Sequence, residues 1–333
     1  MKKKVCLVLL VLLFALLAFA GCAPVAPTQA PATQPPATEP PASAGKLKVA
    51  VITPDPANVF FATEEAIAKP LLESMGYEVI TMVHLEDAAA LSNHFDTAIA
   101  AKVSAIICDG TGGETDIAAV QRATNAGIGV FLIDREISKS GIAKAQIVAN
   151  NLQGAEAVAE YFVELMGGKG GYIELTGRDV DTNAHVRSQG FHNKIDPYKD
   201  MVMLDQQTAN WSLTEAQSVM ETFIQKHGNK IKGVICGNDT MCMGAVAALQ
   251  NAGMKDVIVM GFDGNNDVRD AILAGKAHAT GLQQIAYITQ LACEQADHWI
   301  KTGEAPATEK QLIDCLLITK DNASKLDNFV YKD

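Results

Sequence analysis

Short apolar runs alternate with longer helical segments along most of this chain, and the alternation limits the fold more than any other feature. The intervening segments, such as TEEAIAKPLLESMG and TEAQSVMETFIQKHG, carry apolar residues at helical spacing. Strands that are apolar throughout are buried on both faces, and their alternation with helices predicts parallel βαβ units. The runs interpreted as strands are VAVIT (49–53), VITMV (79–83), SAIICD (104–109), VFLID (130–134), GYIELTG (171–177), MVMLD (201–205), GVICGND (233–239) and VIVMGFD (257–263). Because the rhythm occurs twice, we expect an α/β fold with two Rossmann-like lobes.

The first residues have the pattern of a secretory signal peptide. MKKKVCLVLLVLLFALLAFAGC has three lysines followed by an apolar run, which predicts a signal peptide over residues 1–21. Its end, FAGC (19–22), resembles a bacterial lipobox, although Phe is less usual than Leu at the first position. The resemblance implies lipidation of Cys22, which would anchor the mature protein outside the cytoplasmic membrane, on its periplasmic or extracellular face. The alternative is plain secretion with an unmodified Cys22.

Residues 22–45 are rich in Pro, Ala and Thr and contain almost no large apolar side chain. Such a segment cannot bury enough surface to form a core, so we predict an extended linker and a folded region that begins near Lys46.

The formal net charge of the chain is −11. With no basic patch in the sequence, nucleic acid is not expected as a partner.

Motifs for metals, disulfide frameworks and enzymes are missing from the sequence. DGNND (263–267) and RDVDTNA (178–184) begin like calcium loops but lack the later glycine and glutamate, so we predict no metal. No nucleophile elbow, phosphate loop or dinucleotide fingerprint occurs, so we predict no cofactor and no enzymatic activity. Buried free thiols, with one disulfide left open, are the favoured state of Cys108, Cys236, Cys242, Cys293 and Cys315.

Polar side chains follow several of the predicted strands. Asp134 and Arg135 follow VFLI, Asn238 and Asp239 follow GVICG, and Asp263 follows VIVMGF. Ligands of parallel α/β sheets bind beyond the carboxyl ends of the strands, so these groups are expected at one crevice. Carboxylates accept hydroxyl hydrogen bonds, guanidinium groups donate them and carboxamides do both. With aromatic side chains nearby, this set suits a small neutral polyhydroxyl ligand.

Seven motifs, in order and at compatible spacing, resemble the ribose-type periplasmic sugar-binding proteins, the solute receptors of bacterial ABC importers. The similarity extends from about Lys46 to Ala323. Its motifs are NVFF (58–61), IDRE (133–136), ANNLQG (149–154), VRSQGF (186–191), GNDTMCMGAVAALQNAG (237–253), GFDG (261–264) and TGLQQ (280–284).

The resemblance implies a type I periplasmic binding protein that closes over a monosaccharide or small sugar alcohol and delivers it to an ABC permease. Its lobes would be residues 46–149 with 284–311 and residues 150–283 with 312–333, and we expect a monomer. Gln283 would lie near a hinge. The implied ligand-binding residues are Asn58, Phe60, Phe61, Asp134, Arg135, Arg187, Trp211, Asn238, Asp263 and Gln283.

Two departures from the family pattern leave the ligand open. Val59 stands where the family often has Pro, and Trp211 replaces a common Phe. A larger indole would narrow the pocket, so a pentose, a pentitol and a tetritol all remain candidates.

Other interpretations compete for the individual residues and for the whole chain. Asn238 could serve only as a helix cap, Arg187 could be a solvated charge, and Phe60 and Phe61 could be core residues. The same receptor could present its closed form to a chemoreceptor or histidine kinase. A sugar-modifying enzyme would need a pair of carboxylates around the ligand. A sugar-responsive repressor would need an N-terminal helix-turn-helix, which the sequence lacks.

Overall fold

The computed structural model describes residues 46–332, which form two six-stranded sheets covered by helices. This arrangement confirms the predicted α/β fold with two lobes. The predicted signal peptide, Cys22 and the whole predicted linker lie outside the described residues.

All strands of the first sheet are parallel, and their spatial order is β11-β5-β4-β3-β1-β2. β3, β4 and β5 are buried along their whole length, as expected for a sheet with helices on both faces. The strands are β1 (Lys48–Thr53), β2 (Glu78–Val83), β3 (Ala105–Cys108), β4 (Gly129–Ile133), β5 (Ala145–Ala149) and β11 (Lys310–Ile313).

The second sheet repeats this design in the order β12-β10-β9-β8-β6-β7. Its strands are parallel except β12, which pairs antiparallel with β10 at the sheet edge. The strands are β6 (Gly170–Thr176), β7 (Met201–Thr208), β8 (Ile231–Cys236), β9 (Ile258–Asp263), β10 (Ala279–Leu282) and β12 (Leu316–Thr319).

Helices divide between the two sheets. The first lobe carries α1 (Val59–Ser74), α2 (Ala88–Ala100), α3 (Ile117–Asn125) and α9 (Ile285–Thr302). The second lobe carries α4 (Asn151–Met166), α5 (Thr182–Ile195), α6 (Leu213–His227), α7 (Asp239–Asn251) and α8 (Asn266–Leu273). A C-terminal hairpin of β13 (Leu326–Asp327) and β14 (Val330–Tyr331) packs on α8, and short 3₁₀ helices cover Gly228–Lys230 and Ala323–Lys325.

The chain passes between the sheets three times. It leaves the first sheet after Ala149, returns after Leu282 and leaves again between Ile313 and Leu316. β11 stays in the first sheet as far as Ile313, so the last crossing lies just beyond the predicted boundary at residue 311. Each crossing joins elements near the cleft between the lobes.

Within residues 46–332, no helix is long and apolar enough to cross a membrane, and no group of three or more His, Cys, Asp or Glu residues could hold a metal ion. That the protein binds no metal stays a prediction. The five cysteines of the folded region are all free and buried.

Candidate ligand-binding site

A small cavity between the lobes is lined by all ten side chains that the sequence pointed to. It lies at the carboxyl ends of the strands, and Asp181 and Asn183 also line it. The empty space between its walls, including the part that is open to solvent, is about 240 Å³. The contacts of the ten residues with a ligand stay predictions. They are Asn58, Phe60, Phe61, Asp134, Arg135, Arg187, Trp211, Asn238, Asp263 and Gln283.

The start of α1 forms the aromatic wall of the first lobe. Asn58 is its N-cap, and its side-chain oxygen accepts a hydrogen bond from the backbone N–H of Phe60 at 3.1 Å. The cap aims the first turn at the cleft, where Phe60 and Phe61 pack edge to face with ring centroids 5.6 Å apart. Both rings are buried and both line the cavity, so Phe60 and Phe61 are core residues and cavity residues at the same time.

Arg135 belongs mainly to a network that joins the lobes. Its Nε donates to Asp181 of the second lobe at 2.8 Å, and its Nη1 donates to the carbonyl of Gly110 at 2.6 Å. Glu86 accepts from both terminal nitrogens, at 3.1 and 3.0 Å. Four of the five guanidinium N–H groups therefore have protein acceptors. One Nη2 proton remains for a ligand. Arg135 can therefore donate fewer hydrogen bonds to ligand hydroxyls than its predicted role requires.

Asp134 lies beside Arg135 in the turn after β4, with a positive φ of 55°. The Asn183 side chain donates to its backbone carbonyl at 3.2 Å and more weakly to its carboxylate at 3.4 Å. The Nε of Arg135 is 3.9 Å from the other carboxylate oxygen. Asp134 is therefore buried with most of its accepting capacity unused.

Arg187 is buried in the second lobe, so the interpretation as a solvated charge is wrong. Its Nε donates to Asn151 at 2.8 Å, and its Nη1 donates to the carbonyl of Gly237 at 2.8 Å and to Asp263 at 3.3 Å. The guanidinium lies 4.3 Å from the ring centroid of Phe262. Within the described residues, its Nη2 has no protein acceptor, which leaves two donors for a ligand.

Trp211 closes the second-lobe side of the cavity. Its indole N–H donates to Asp181 at 3.0 Å, the same carboxylate oxygen that accepts from Arg135. The indole lies directly over Gly177, where any side-chain carbon would overlap the ring. Asp181 thus holds an aromatic wall of one lobe and the central arginine of the other.

The remaining three predicted residues come from the ends of β8, β9 and β10. The Asn238 side-chain oxygen caps α7 through the N–H of Met241 at 2.9 Å, so the helix-cap interpretation is also correct. The Asp263 carboxylate accepts from the Gln283 amide at 2.8 Å. The Gln283 amide oxygen is buried, and no group among residues 46–332 donates a hydrogen bond to it.

The electrostatics of the cavity favour ligands that donate hydrogen bonds. Burial raises the pKa of Asp134 to about 6 and that of Asp263 to about 7, although Arg135 and Arg187 oppose these shifts. A hydroxyl group that donates to either carboxylate would relieve the cost of its burial. An apolar ligand cannot supply such a donor.

Further contacts across the cleft were missed in the sequence. Arg178 of the second lobe forms a 2.8 Å ion pair with Glu86 of the first, and Thr240 donates to Asn58 at 3.4 Å. Asp181 is the N-cap of α5, a local signal that identifies a helix start but not a ligand site. The lobes are closed against each other through these contacts.

The unused groups of the cavity can be counted by chemistry. Within residues 46–332, donors without protein acceptors remain on Asn58, Arg135, Arg187 and Asn238, and acceptors remain on Asp134, Asp263 and Gln283. Donors and acceptors on both walls, between Phe61 and Trp211, fit a molecule with several adjacent hydroxyls and an apolar C–H face.

Two α/β lobes that close over a small polar cavity define a periplasmic binding protein of type I. The model of the periplasmic binding protein domain matches residues 49–305, and the chain belongs to the ribose-type family of periplasmic sugar-binding proteins. It is 52% identical over 284 residues to the D-apiose import binding protein of Paraburkholderia graminis, covering 85% of this chain and 91% of that protein.

Two further comparisons extend the likeness. The ribose import binding protein of Bacillus subtilis is 30% identical over 72% of this chain and 77% of its own length. A solute-binding protein of an ABC transporter from Actinobacillus succinogenes, solved with bound D-allose, is 26% identical with a TM-score of 0.77, covering 84% of this chain and 99% of that one.

Proposed function

We propose that this protein is the solute-binding component of an ABC importer and that its ligand is D-apiose or a sugar of similar size. The proposal is carried by the cavity between the closed lobes, whose two walls both carry unused hydrogen-bond donors and unused acceptors. The likeness to D-apiose import binding proteins supports the choice among sugars.

The small size of the cavity favours a furanose. D-apiose is a branched five-carbon sugar that closes only as a five-membered ring. The indole of Trp211 narrows the space where the family often has the smaller ring of Phe, which favours a ligand smaller than a hexopyranose.

In this proposal, the protein binds its ligand without making or breaking a covalent bond. Closure buries the sugar between the lobes, and the binding free energy shifts the population toward the closed form that a permease would recognise. The lipobox-like FAGC sequence supports a lipid anchor at Cys22, with the linker as a tether outside the cytoplasmic membrane.

A thermal-shift panel with the soluble protein from residue 46 tests the ligand class. D-apiose at a hundred times its dissociation constant should stabilise the fold by about 2.7 kcal/mol and raise the melting temperature by a few degrees. Ribose, xylitol, myo-inositol and an amino acid complete the panel. If no sugar or polyol shifts the melting temperature, the proposed ligand class is wrong.

Asp134→Ala is the matched variant. It removes an acceptor that faces the cavity, while Arg135 keeps its bonds to Asp181 and Glu86, so the fold should survive. We expect loss of the sugar-induced shift with a ligand-free melting temperature close to that of the wild type. An unchanged affinity would remove Asp134 from the binding site.

A further inference from the structure

The C-terminal hairpin is anchored on the second lobe. The side chain of Asn266 in α8 accepts a hydrogen bond from the backbone N–H of Asn328 at 2.7 Å. Arg269 of the same helix donates to the carbonyl of Leu326 at 3.2 Å. The hairpin therefore moves with the second lobe whenever the cleft opens or closes.

The tip of this hairpin holds a phenylalanine in an unfavourable backbone conformation. Asn328 has a φ of 48° and Phe329 a φ of 64°, as a two-residue turn of this hand requires at both positions. Asn tolerates the left-handed region, but a bulky residue there is a genuine outlier and persists only when its surroundings hold it. The Phe329 side chain is only 1% exposed.

The ring of Phe329 ends on the ligand-binding wall of the other lobe. It packs edge to face against Phe60, with centroids 5.4 Å apart and an interplanar angle of 89°. Phe60 lines the cavity and makes the same kind of contact with Phe61. An aromatic row thus connects the last turn of the chain to the cavity, although Phe329 itself does not line it.

We propose that Phe329 is a positioning residue for sugar binding: it fixes the Phe60 ring against the ligand and stabilises the closed state by a contact that forms only when the lobes meet. This inference rests on the proposed function of the cavity. The turn strain at Phe329 is compensated in the closed state by burial against Phe60 and has no such compensation once the lobes part.

Phe329→Ala tests the inference through affinity and dissociation rate. Because an edge-to-face pair contributes a modest free energy beyond area burial, the affinity for D-apiose should fall about 2- to 13-fold, mainly through faster dissociation. Tyr331→Ala is the matched control: it removes an aromatic ring from the same hairpin, one whose charge contact is with Lys325 of the same lobe. This control should leave both constants close to the wild-type values.

A double-mutant cycle with Phe60→Leu separates positioning from general destabilisation. If Phe329 acts through Phe60, then Phe329→Ala should weaken binding much less in the Phe60→Leu background than in the wild type. Small-angle scattering of the liganded proteins adds a second readout, since the variant should retain a larger open fraction at the same sugar concentration.

The outcomes distinguish the inference from the function on which it rests. If the wild type binds no sugar of the panel, the proposed function fails first. If the wild type binds and Phe329→Ala binds equally well, or if the effects of Phe329→Ala and Phe60→Leu simply add, the positioning role is overturned while the function stands.

Discussion

At the scale of the residue, the close approach of the Trp211 indole to Gly177 decides the shape of the cavity. A Cβ at position 177 would overlap the indole carbons, whereas a Cβ at Gly237 would lie 3.0 Å from the edge of the same ring. We expect Gly177→Ala to displace the indole and cost about 1–3 kcal/mol of stability through overpacking. Denaturant unfolding and sugar titration measure the two effects.

Gly237→Ala provides the comparison, since it crowds the same indole less severely. Its losses in stability and affinity should both be smaller than those of Gly177→Ala. Equal losses from the two substitutions would show that the indole does not depend on close contact with Gly177.

The sequence located the cavity-lining residues well because strand ends and ordered motifs carry positional information. It could not show how each group divides its hydrogen bonds. Asn238 is both helix cap and cavity residue, and Arg135 gives most of its donors to partners distant in sequence. Asp181 was not predicted as a site residue. Its position before a helical segment indicates that it caps the start of α5, but it does not indicate that the second carboxylate oxygen accepts hydrogen bonds from Arg135 and Trp211.

At the scale of the element, the loop after β6 clamps the first lobe through Arg178. Its ion pair with Glu86 is about one-fifth exposed and does not line the cavity. Arg178→Gln should therefore speed sugar dissociation about 2- to 10-fold, since a partly buried pair is worth more than a solvated one. Stopped-flow tryptophan fluorescence would follow the release.

Arg122→Gln is the control for this clamp. Arg122 pairs with Asp96 inside the first lobe, and both side chains are more than 40% exposed. The substitution should leave the dissociation rate unchanged. A clamp variant that behaves like this control would mean that Arg178 does not contribute to closure.

The eight long apolar runs were correctly predicted as strands, but several shorter strands were not. β5 has the sequence AQIVA, in which a glutamine interrupts the apolar run, and β11 and β12 have only four residues each. Such segments are strands because neighbouring strands supply their hydrogen bonds, which is tertiary information that a local pattern lacks.

At the scale of the whole molecule, closure buries the carboxylates of Asp134 and Asp263, and neither of them receives as many hydrogen bonds as it can accept. The pKa of Asp263 is raised to about 7 and that of Asp134 to about 6 by burial, above the ordinary value near 4 that open, solvated carboxylates have. The closed ligand-free form therefore binds more protons than the open form between about pH 4 and 7.

Lowering the pH through this window should shift the ligand-free protein toward the closed form. Small-angle scattering at pH 5 should give a smaller radius of gyration than at pH 7.5, and Asp134→Asn with Asp263→Asn should remove most of the difference. A radius of gyration in the wild type that does not change with pH would contradict the expectation.

Two more carboxyl groups, those of Glu64 and Asp109, are fully buried inside the first lobe and have raised pKa values. Because they lie inside one lobe, opening of the cleft should change their pKa values less than those of Asp134 and Asp263.

The three crossings also dictate when the molecule can fold. The first sheet is not complete until β11 has been made, and α9 must arrive to cover the face of β3, β4 and β5. The second sheet then waits for β12, which ends at Thr319. Neither lobe is formed by one continuous segment of the chain. Nearly all of the chain must therefore be synthesised before either lobe can fold completely. Long-range pairing of this kind folds slowly, which lengthens the time the new chain spends unfolded.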